Sequence, residues 1–283
     1  MNEIKEIKIF ICSHQNVILP EHPLLFPLQV GAALENTRFR GYLRDDVGDN
    51  ISKKNRSYCE LTGQYWAWKN VDADYYGFFH YRRFLYPNLK AKRPYRIERN
   101  PTVEMLKKLD YNSFSDVITK YDLIVPMGVK MHTSIREHYA AASFQHREDL
   151  DLINKILLEH HPEDDWAVEK YFSGDVHYFG NIYIMQRDVF RDYAEWLFPV
   201  LEEFDRRADK AEYGKQELRV DGYLAERLLG VYYTKNRSKL RTLELPGVYF
   251  FSGKEYLKRA LIDFFFPPGT KRRAVIKYFA KGK

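Results

Sequence analysis

The clearest pattern of apolar and polar positions lies between Val71 and Leu85. A run of aromatic residues extends from Tyr75 to Phe79 and is interrupted only by Gly77. Such a run is typical of a strand that is covered on both faces, as in the centre of an α/β sheet. The run is followed directly by four polar residues, His80, Tyr81, Arg82 and Arg83. Ligands bind at the carboxyl ends of strands in such sheets, so we predict a ligand site here.

Successive side chains of an extended backbone point to opposite faces, so only one of Arg82 and Arg83 is expected to enter a given pocket. The other is then available for an ion pair or a second ligand group. The alternative is a strand end with solvated arginines and a histidine bonded to the backbone. The crowding of polar groups behind so apolar a run favours the site.

The remaining pattern alternates strands with helices. An apolar strand is predicted from Ile4 to Ser13, with His14 at its carboxyl end beside the same crevice. Further predicted strands cover Tyr121 to Pro126 and His177 to Met185. Helical spacing predicts helices at Tyr58–Asn70, Ser134–Ala142, Arg147–His161, Asp188–Phe204 and Asp221–Tyr233. Residues 86 to 101 have no periodicity and are predicted to form a mobile loop over the site.

This order predicts an α/β fold with a Rossmann-type mixed sheet flanked by helices. Neither a GxGxxG nor a GxxxxGK[ST] motif is present, so the sequence supports neither a dinucleotide fingerprint nor a P-loop. Histidines lack the HExxH pattern of a zinc helix. We divide the chain into a catalytic domain over residues 1–250 and a basic, aromatic tail over residues 251–283.

The segment GYLRDDVGDNIS, residues 41 to 52, is a loop rich in carboxylates. An EF-hand needs a glutamate at the twelfth position, and Arg56 stands there when counting begins at Asp45. We therefore interpret Asp45, Asp46 and Asn50 as acceptors for a sugar or ribose, with turn formation as the alternative. Glu60 lies on a different face of its helix from the apolar stripe and is a candidate for the pocket.

The charge is unevenly distributed. The net charge is +6, and from Lys254 onward nine basic residues accompany two acidic ones, which gives +7 there and −1 for the preceding chain. A body near neutrality argues against nucleic acid as a partner. Two cysteines give no disulfide framework, which fits a cytoplasmic protein, and no stretch has the length of a membrane span. The basic amphipathic end predicts peripheral contact with the inner membrane surface.

Four segments together resemble the bacterial domain-of-unknown-function 4422 family: Gly41 to Ser52, Tyr58 to Asn70, HYRRF and Asp221 to Leu229. The resemblance extends from about Ile7 to about Pro246. It implies a glycosyltransferase A-like fold and sugar transfer in capsule, exopolysaccharide or O-antigen synthesis. It further implies a nucleoside diphosphate sugar donor, UDP-galactofuranose or UDP-galactose, and a lipid-linked saccharide acceptor.

Under this hypothesis the leaving diphosphate must be neutralised and the acceptor hydroxyl deprotonated. The DxD pairs, Asp72 with Asp74 and Asp149 with Asp151, do not follow the strand that ends in HYRR. We therefore predict transfer without a metal cofactor, in which His80, Arg82 and Arg83 compensate the diphosphate charge. Glu226 is the predicted base, supported by the ERLL segment of the resemblance, and Asp221 is second.

Two alternatives remain open. A transferase that depends on Mn²⁺ or Mg²⁺ would use Asp45, Asp46, Asp72 or Asp74 as ligands. A non-catalytic nucleotide- or glycan-binding protein of an assembly complex would share the pocket without turnover.

Overall fold

The computed structural model describes residues 5–265. In this part of the chain the strands are β1 (Ile7–Ser13), β2 (Leu25–Gln29), β3 (Leu43–Arg44), β4 (Tyr75–His80), β5 (Arg83–Leu85), β6 (Tyr95–Glu98), β7 (Leu123–Pro126), β8 (Val129–Lys130), β9 (Val176–His177), β10 (Tyr183–Gln186), β11 (Thr242–Leu245) and β12 (Gly247–Phe250). The helices are α1 (Asn55–Tyr58), α2 (Leu61–Asn70), α3 (Val103–Lys108), α4 (Phe114–Ile118), α5 (Ile135–Ala140), α6 (Arg147–His160), α7 (Asp165–Phe172), α8 (Arg187–Arg207), α9 (Val220–Asn236) and α10 (Gly253–Phe265).

The main sheet is mixed, with the strand order β11, β7, β10, β4, β1, β2, β3. β1 pairs in parallel with β2 and β4, while β10 is antiparallel to both β4 and β7. After β4 the chain turns into β5, which pairs with β12, and β12 also pairs with β6. The predicted mixed sheet flanked by helices is therefore confirmed.

The strand β4 is buried on both faces, as its apolar run predicts. Tyr76 and Phe78 pack into a core formed with α2 and with α5 to α9. Tyr75 and Phe79 pack into a second core, which includes residues of α3 and α4 and of the paired strands β5 and β12. Gly77 is the gap in the run because a Cβ there would lie 2.8 Å from Cγ1 of Ile9 on β1.

Three sequence predictions about local structure are wrong. The segment predicted to be a mobile loop over the site contains β6, which is parallel to β12. The predicted helix Tyr58–Asn70 breaks at Cys59, whose φ is 52°. The predicted strand from His177 to Met185 divides into β9 and β10, which pair with different partners. In the two predictions that concern strands, a pairing partner distant in the sequence overrides the local pattern.

The predicted C-terminal tail is only partly within the described residues. Its first part is α10, and the basic stretch Lys271–Lys283 lies outside the described range. Among residues 5–265, no helix combines the length and the apolar character needed to span a bilayer.

Candidate functional site

A cavity of about 870 Å³ opens at the carboxyl ends of β1, β2 and β4. The register of the parallel pair places Cys12 opposite His80 and so brings the ends of β1 and β4 together. The site residues predicted from sequence that line this cavity are His14, Glu60, His80, Tyr81 and Arg82. Of the HYRR segment, His80, Tyr81 and Arg82 line the cavity and Arg83 does not.

The turn after β4 organises this end of the cavity around the ring of Tyr81. The Tyr81 amide donates to the carbonyl of Cys12 at 3.1 Å, which ties the turn to β1. Its ring lies 5.6 Å from His14 and 4.3 Å from His80, centroid to centroid. The Arg82 guanidinium carbon lies 5.1 Å from the same ring, a cation–π distance.

Both histidines are held neutral. Burial, followed by the positive charges of Arg83 and Arg82, lowers the pKa of His80 well below its ordinary value. Burial and the charge of Arg219 lower the pKa of His14 in the same direction. Nδ1 of His80 accepts a hydrogen bond from the Arg82 amide at 3.2 Å, which requires that nitrogen to be unprotonated. These histidines are therefore hydrogen-bonding groups in the cavity, and its positive charge comes from other residues.

Four cations line the cavity, namely Arg56, Arg82, Lys215 and Arg219. They face two carboxylates, Glu35 and Glu60, so the lining carries a net charge of +2 with neutral histidines. Within the described range, none of the four pairs with a carboxylate in an ion pair. A concave wall with unpaired cations is suited to an anion such as a diphosphate.

The opposite wall is formed where α1 ends and α9 begins. Cys59 has φ 52° and ψ −129°, a conformation that costs about 1–3 kcal/mol in a non-glycine residue. Its carbonyl accepts from Nδ2 of Asn55 at 2.6 Å, and its sulfur accepts from Nε of Arg219 at 3.4 Å. Burial and the charge of Glu60 raise the pKa of the Cys59 thiol to about 12, so it is a protonated wall residue and no nucleophile.

Close packing of α9 against this wall depends on Gly222. A Cβ there would lie 3.1 Å from Sγ of Cys59. Nδ2 of Asn181 donates to Oε1 of Glu60 at 2.9 Å and to the Gly222 carbonyl at 3.1 Å. The bond from Asn181 fixes the carboxylate of Glu60, a residue that lies between α1 and α2 and lines the cavity.

Asp45 does not line the cavity, although the sequence suggested it as a sugar or ribose acceptor. It is fully buried, and its carboxylate accepts from the amides of Gly31 and Ala32 at 2.8 and 3.0 Å. The hydroxyls of Ser52 and Thr62 each donate to it at 2.6 Å. These four bonds occupy the carboxylate, so Asp45 supports the cavity wall from behind.

Asp46 and Asn50 also lie outside the cavity lining. Asp46 pairs with Arg38 and Arg44 at 3.2 and 3.1 Å. Asn50 closes a turn by donating to the Gly48 carbonyl and accepting from the Ser52 amide. The alternative interpretation of this loop, as a set of turn-forming residues, describes its hydrogen bonding.

Arg83 and Glu226, unlike Arg82, lie outside the lining of the cavity. Arg83 begins β5, and its guanidinium carbon lies 5.8 Å from the ring of Tyr249. Glu226 accepts from Arg227 at 2.9 Å, and 18% of its side chain is exposed. Burial raises the pKa of Glu226, while the charges of Arg227 and Arg83 oppose the shift. Arg82 lies in the turn between β4 and β5, so the alternation expected of an extended strand does not apply to this pair of arginines.

Asp221, the second predicted base, is fully buried and outside the cavity lining. It accepts from the Ser57 hydroxyl and, at 3.1 Å, from Nζ of Lys210. Burial raises its pKa, and the charge of Lys210 opposes that shift. This carboxylate joins α1 to α9 and has no path to a substrate hydroxyl in this arrangement.

The chain matches a family model described as domain of unknown function (DUF4422) over residues 8–237. It belongs to this family. The family predicted from its motifs is thereby confirmed, and all four of the motifs lie inside the matched range. A search of curated proteins found no match.

A solved structure adds a comparison of folds. The apo structure of WbbM, described as a bifunctional glycosyltransferase, matches this chain with a TM-score of 0.82 and 30% sequence identity. The match covers 87% of this chain and 46% of that one, so the chain spans about half the length of WbbM. The family member described here therefore shares the fold of part of a glycosyltransferase, which confirms the predicted glycosyltransferase-like architecture.

The carboxylates considered as metal ligands are not at the cavity. Asp72 and Asp74 lie just before β4, at the strand end opposite the cavity, where Arg187 pairs with both. Asp149, expected on a helix surface, is buried and accepts from Tyr213. Among the described residues, a group of potential ligands at His161, Glu163 and Asp164 also lies outside the lining, and Asp164 is bonded to Trp196 and Lys235.

Sequence reasoning missed the cations Arg56, Lys215 and Arg219 and the amide of Asn181. Arg219 lies two residues before Asp221, directly upstream of a recognised motif, and Arg56 lies two residues before Tyr58. Their positions beside the motifs were the available signal. Lys215 and Asn181 carried no comparable signal.

The role of Asp45 leads to a prediction about stability. Asp45→Asn places an amide NH₂ against two of four donors and should lower the free energy of unfolding by about 3 kcal/mol. Asp46→Asn, which removes partly exposed ion pairs, should cost no more than about 1 kcal/mol. Urea denaturation followed by circular dichroism measures both. Equal losses in the two variants would contradict a buried supporting role for Asp45.

Proposed function

We propose that this chain is a glycosyltransferase that binds a nucleoside diphosphate sugar in the cavity and transfers its sugar to a saccharide acceptor. The observation that carries the proposal is the set of four cations, unpaired with carboxylates in the described range, in a cavity at the carboxyl ends of the strands. Similarity to part of a bifunctional glycosyltransferase supports the reaction class. We take UDP-galactofuranose or UDP-galactose as the donor, in bacterial surface polysaccharide synthesis.

In the reaction the acceptor oxygen bonds to the anomeric carbon, and the bond from that carbon to the phosphate oxygen breaks. The electron pair leaves with the diphosphate, whose developing charge Arg82 and Arg219 would stabilise. The hydroxyl proton goes to Glu226. The raised pKa of Glu226 makes it a stronger base than an exposed glutamate.

We further propose that the transfer needs no metal cofactor. The support is the chemistry of the lining, where four cations outnumber two carboxylates and Glu60 is already bonded to Asn181. Guanidinium groups supply the charge and the bidentate bonds that a diphosphate otherwise obtains from a divalent ion.

Donor binding tests this proposal directly. UDP should bind saturably in the presence of EDTA, and Arg82→Ala and Arg219→Ala should each weaken binding about tenfold or more. Arg191→Ala, an exposed cation near Asp72, is the matched control and should bind UDP as the wild type does. Isothermal titration calorimetry measures these affinities. Binding that appears only after manganese is added would contradict metal independence, and no binding across nucleoside diphosphates and their sugars would favour a non-catalytic role.

The role of Glu226 gives a second test. Glu226→Gln should lower kcat by roughly 10²–10⁴-fold and leave UDP affinity unchanged, whereas exposed Glu202→Gln on α8 should retain full activity. Only the carboxylate form accepts a proton, so wild-type kcat/KM should fall as the pH drops through a pKa raised above the ordinary glutamate value. Steady-state transfer assays over pH report both effects. Loss of UDP binding together with activity would contradict the assignment.

We also propose that the acceptor is lipid-linked and that the C-terminal region contacts an anionic membrane surface. The apolar residues Leu257, Leu261 and Phe264 of α10 recur at helical spacing and are 59%, 64% and 78% exposed. Lys254, Lys258 and Arg259 lie on the same helix, and the sequence beyond it adds further basic residues. An apolar stripe beside cations is suited to the headgroup region of anionic lipids.

Vesicle binding checks the membrane contact. The double substitution Leu261→Asp and Phe264→Asp should lower the fraction of full-length protein that sediments with phosphatidylglycerol vesicles at least about fivefold. Ile18→Asp, at a side chain that is 96% exposed elsewhere in the chain, should sediment as the wild type does. Equal sedimentation of the double variant and the wild type would refute the contact.

A further inference from the structure

The cavity contains one carboxylate that the binding of a diphosphate does not explain. Glu35 and Glu60 both line the cavity, and Glu60 is already bonded to Asn181. The side chain of Glu35 is exposed, and among residues 5–265 its carboxylate forms neither a hydrogen bond nor an ion pair. A free negative charge repels an anionic ligand. Glu35 therefore opposes donor binding unless it contacts an uncharged part of the donor.

The basic residue nearest to Glu35 in the sequence is engaged elsewhere. Nη1 of Arg38 donates to the backbone carbonyls of Ala32 and Glu35, each at 2.6 Å. Nη2 of Arg38 pairs with the carboxylate of Asp46 at 3.2 Å. Arg38 thus holds the backbone at Glu35 and leaves the Glu35 carboxylate free.

Glu35 ends a turn whose backbone is fixed from several sides. We call residues 31–35, which follow β2, the β2 turn. Its first two amides donate to the buried carboxylate of Asp45 at 2.8 and 3.0 Å, and its third donates to the hydroxyl of Ser52 at 3.0 Å. A Cβ built on Gly31 would lie 2.6 Å from Oδ1 of Asn55, so the turn lies close against α1. The position from which the side chain of Glu35 projects is therefore well defined.

The order of the strands separates Glu35 from Arg82 along the edge of the sheet. β2 and β4 pair in parallel with opposite sides of β1, so all three strands end at this edge. Arg82 follows β4 and the β2 turn follows β2, and two strand spacings amount to about 10 Å. A nucleoside diphosphate is an extended molecule with its charge at one end. Its diphosphate can meet Arg82 while its ribose lies towards the β2 turn.

The ribose has the chemistry that a free carboxylate needs. Its two adjacent hydroxyls are uncharged donors, and an ionised carboxylate has two acceptor oxygens. In dinucleotide-binding folds an acidic residue about 20 residues beyond the first strand bonds to the ribose, and Glu35 follows β1, which ends at Ser13, by about that distance. Leu34, which is 41% exposed, adds an apolar surface beside it that suits a nucleoside.

We infer that Glu35 recognises the ribose of the donor by accepting hydrogen bonds from its 2′- and 3′-hydroxyls. This inference rests on the proposed function, because the ribose belongs to the nucleoside diphosphate of that proposal. It orients the donor, with the nucleoside at the β2 turn and the diphosphate at the end of β4. It also makes Glu35 a specificity residue that favours a ribonucleotide over a deoxyribonucleotide.

The experiment compares three ligands on the full-length chain. UDP, 2′-deoxy-UDP and inorganic pyrophosphate are titrated by isothermal titration calorimetry. The wild type should bind UDP about tenfold more tightly than 2′-deoxy-UDP, because the analogue lacks a hydroxyl that bonds to a charged acceptor. Glu35→Ala should bind UDP at least about tenfold more weakly than the wild type and bind the two nucleotides within about twofold of each other. Its affinity for pyrophosphate should be no lower than that of the wild type.

The sign of the effect separates a contact with the ribose from a simple change of charge. Removal of a carboxylate from a cavity that binds anions would by itself strengthen the binding of UDP and of pyrophosphate alike. Weaker UDP binding with undiminished pyrophosphate binding therefore requires a favourable contact between Glu35 and the nucleoside. Retained pyrophosphate binding also shows that the cavity of the variant is folded.

Glu195→Ala, at an exposed carboxylate on α8, is the matched control and should bind all three ligands as the wild type does. UDP binding by Glu35→Ala at or above the wild-type affinity would overturn the inference. Equal affinities of the wild type for UDP and 2′-deoxy-UDP would overturn it as well and leave the diphosphate site standing. Wild-type protein that binds neither UDP nor pyrophosphate would refute the donor site itself, and the ribose assignment with it.

Discussion

The parallel pairing of β1 with β4 sets the geometry of the whole site. It aligns Cys12 with His80, so both strands end at the same level, and the amide of Tyr81 then bonds to the Cys12 carbonyl. This bond forces a turn immediately after β4, and the chain returns as β5. The turn exposes Arg82 to the cavity while β5 carries Arg83 to the other side. A longer loop between β4 and β5 would leave both guanidinium groups without a fixed direction.

The second constraint is the close approach of α9 to the segment between α1 and α2. Gly222 has no Cβ and therefore leaves room for the sulfur of Cys59. Asn181 donates hydrogen bonds to Glu60 and to the Gly222 carbonyl. Beneath this contact Asp221 is buried with Ser57 and Lys210, an arrangement in which the removal of one partner leaves an uncompensated charge. Two of the segments by which the family was predicted, Tyr58–Asn70 and Asp221–Leu229, thus meet in space and hold the wall that Arg219 completes.

Family membership and fold similarity relate this chain to part of a glycosyltransferase without specifying a reaction. WbbM is described as bifunctional, and this chain covers 46% of it, so the shared fold accounts for only part of that protein. The chemistry assigned to this chain therefore depends on its own residues. Cations that pair with no carboxylate in the described range line the strand-end cavity and suit a diphosphate, and the carboxylate of Glu226 is bonded to Arg227 and partly exposed.

The sequence by itself determined the elements whose pattern is local. The apolar runs of β1, β4 and β7 and the periodic helices α6, α8 and α9 were predicted because each depends on residues a few positions apart. The position of His80 and Tyr81 directly behind an apolar strand indicated that they belong near a ligand, and helical spacing indicated the same for Glu60. Side-chain alternation on a strand did not decide the directions of Arg82 and Arg83, because β4 ends at His80 and Arg82 lies in the turn before β5.

Only the tertiary structure decided which candidates face the cavity. Asp45 and Asp221 are carboxylates in motif segments, yet each is buried because its donors come from elements elsewhere in the chain. Arg219 gains its place from the packing of α9, and β6 exists because β12 supplies its partner from more than a hundred residues away. Local periodicity specifies which residues form an element, whereas contacts between distant elements specify which side chains face a ligand and which face the core.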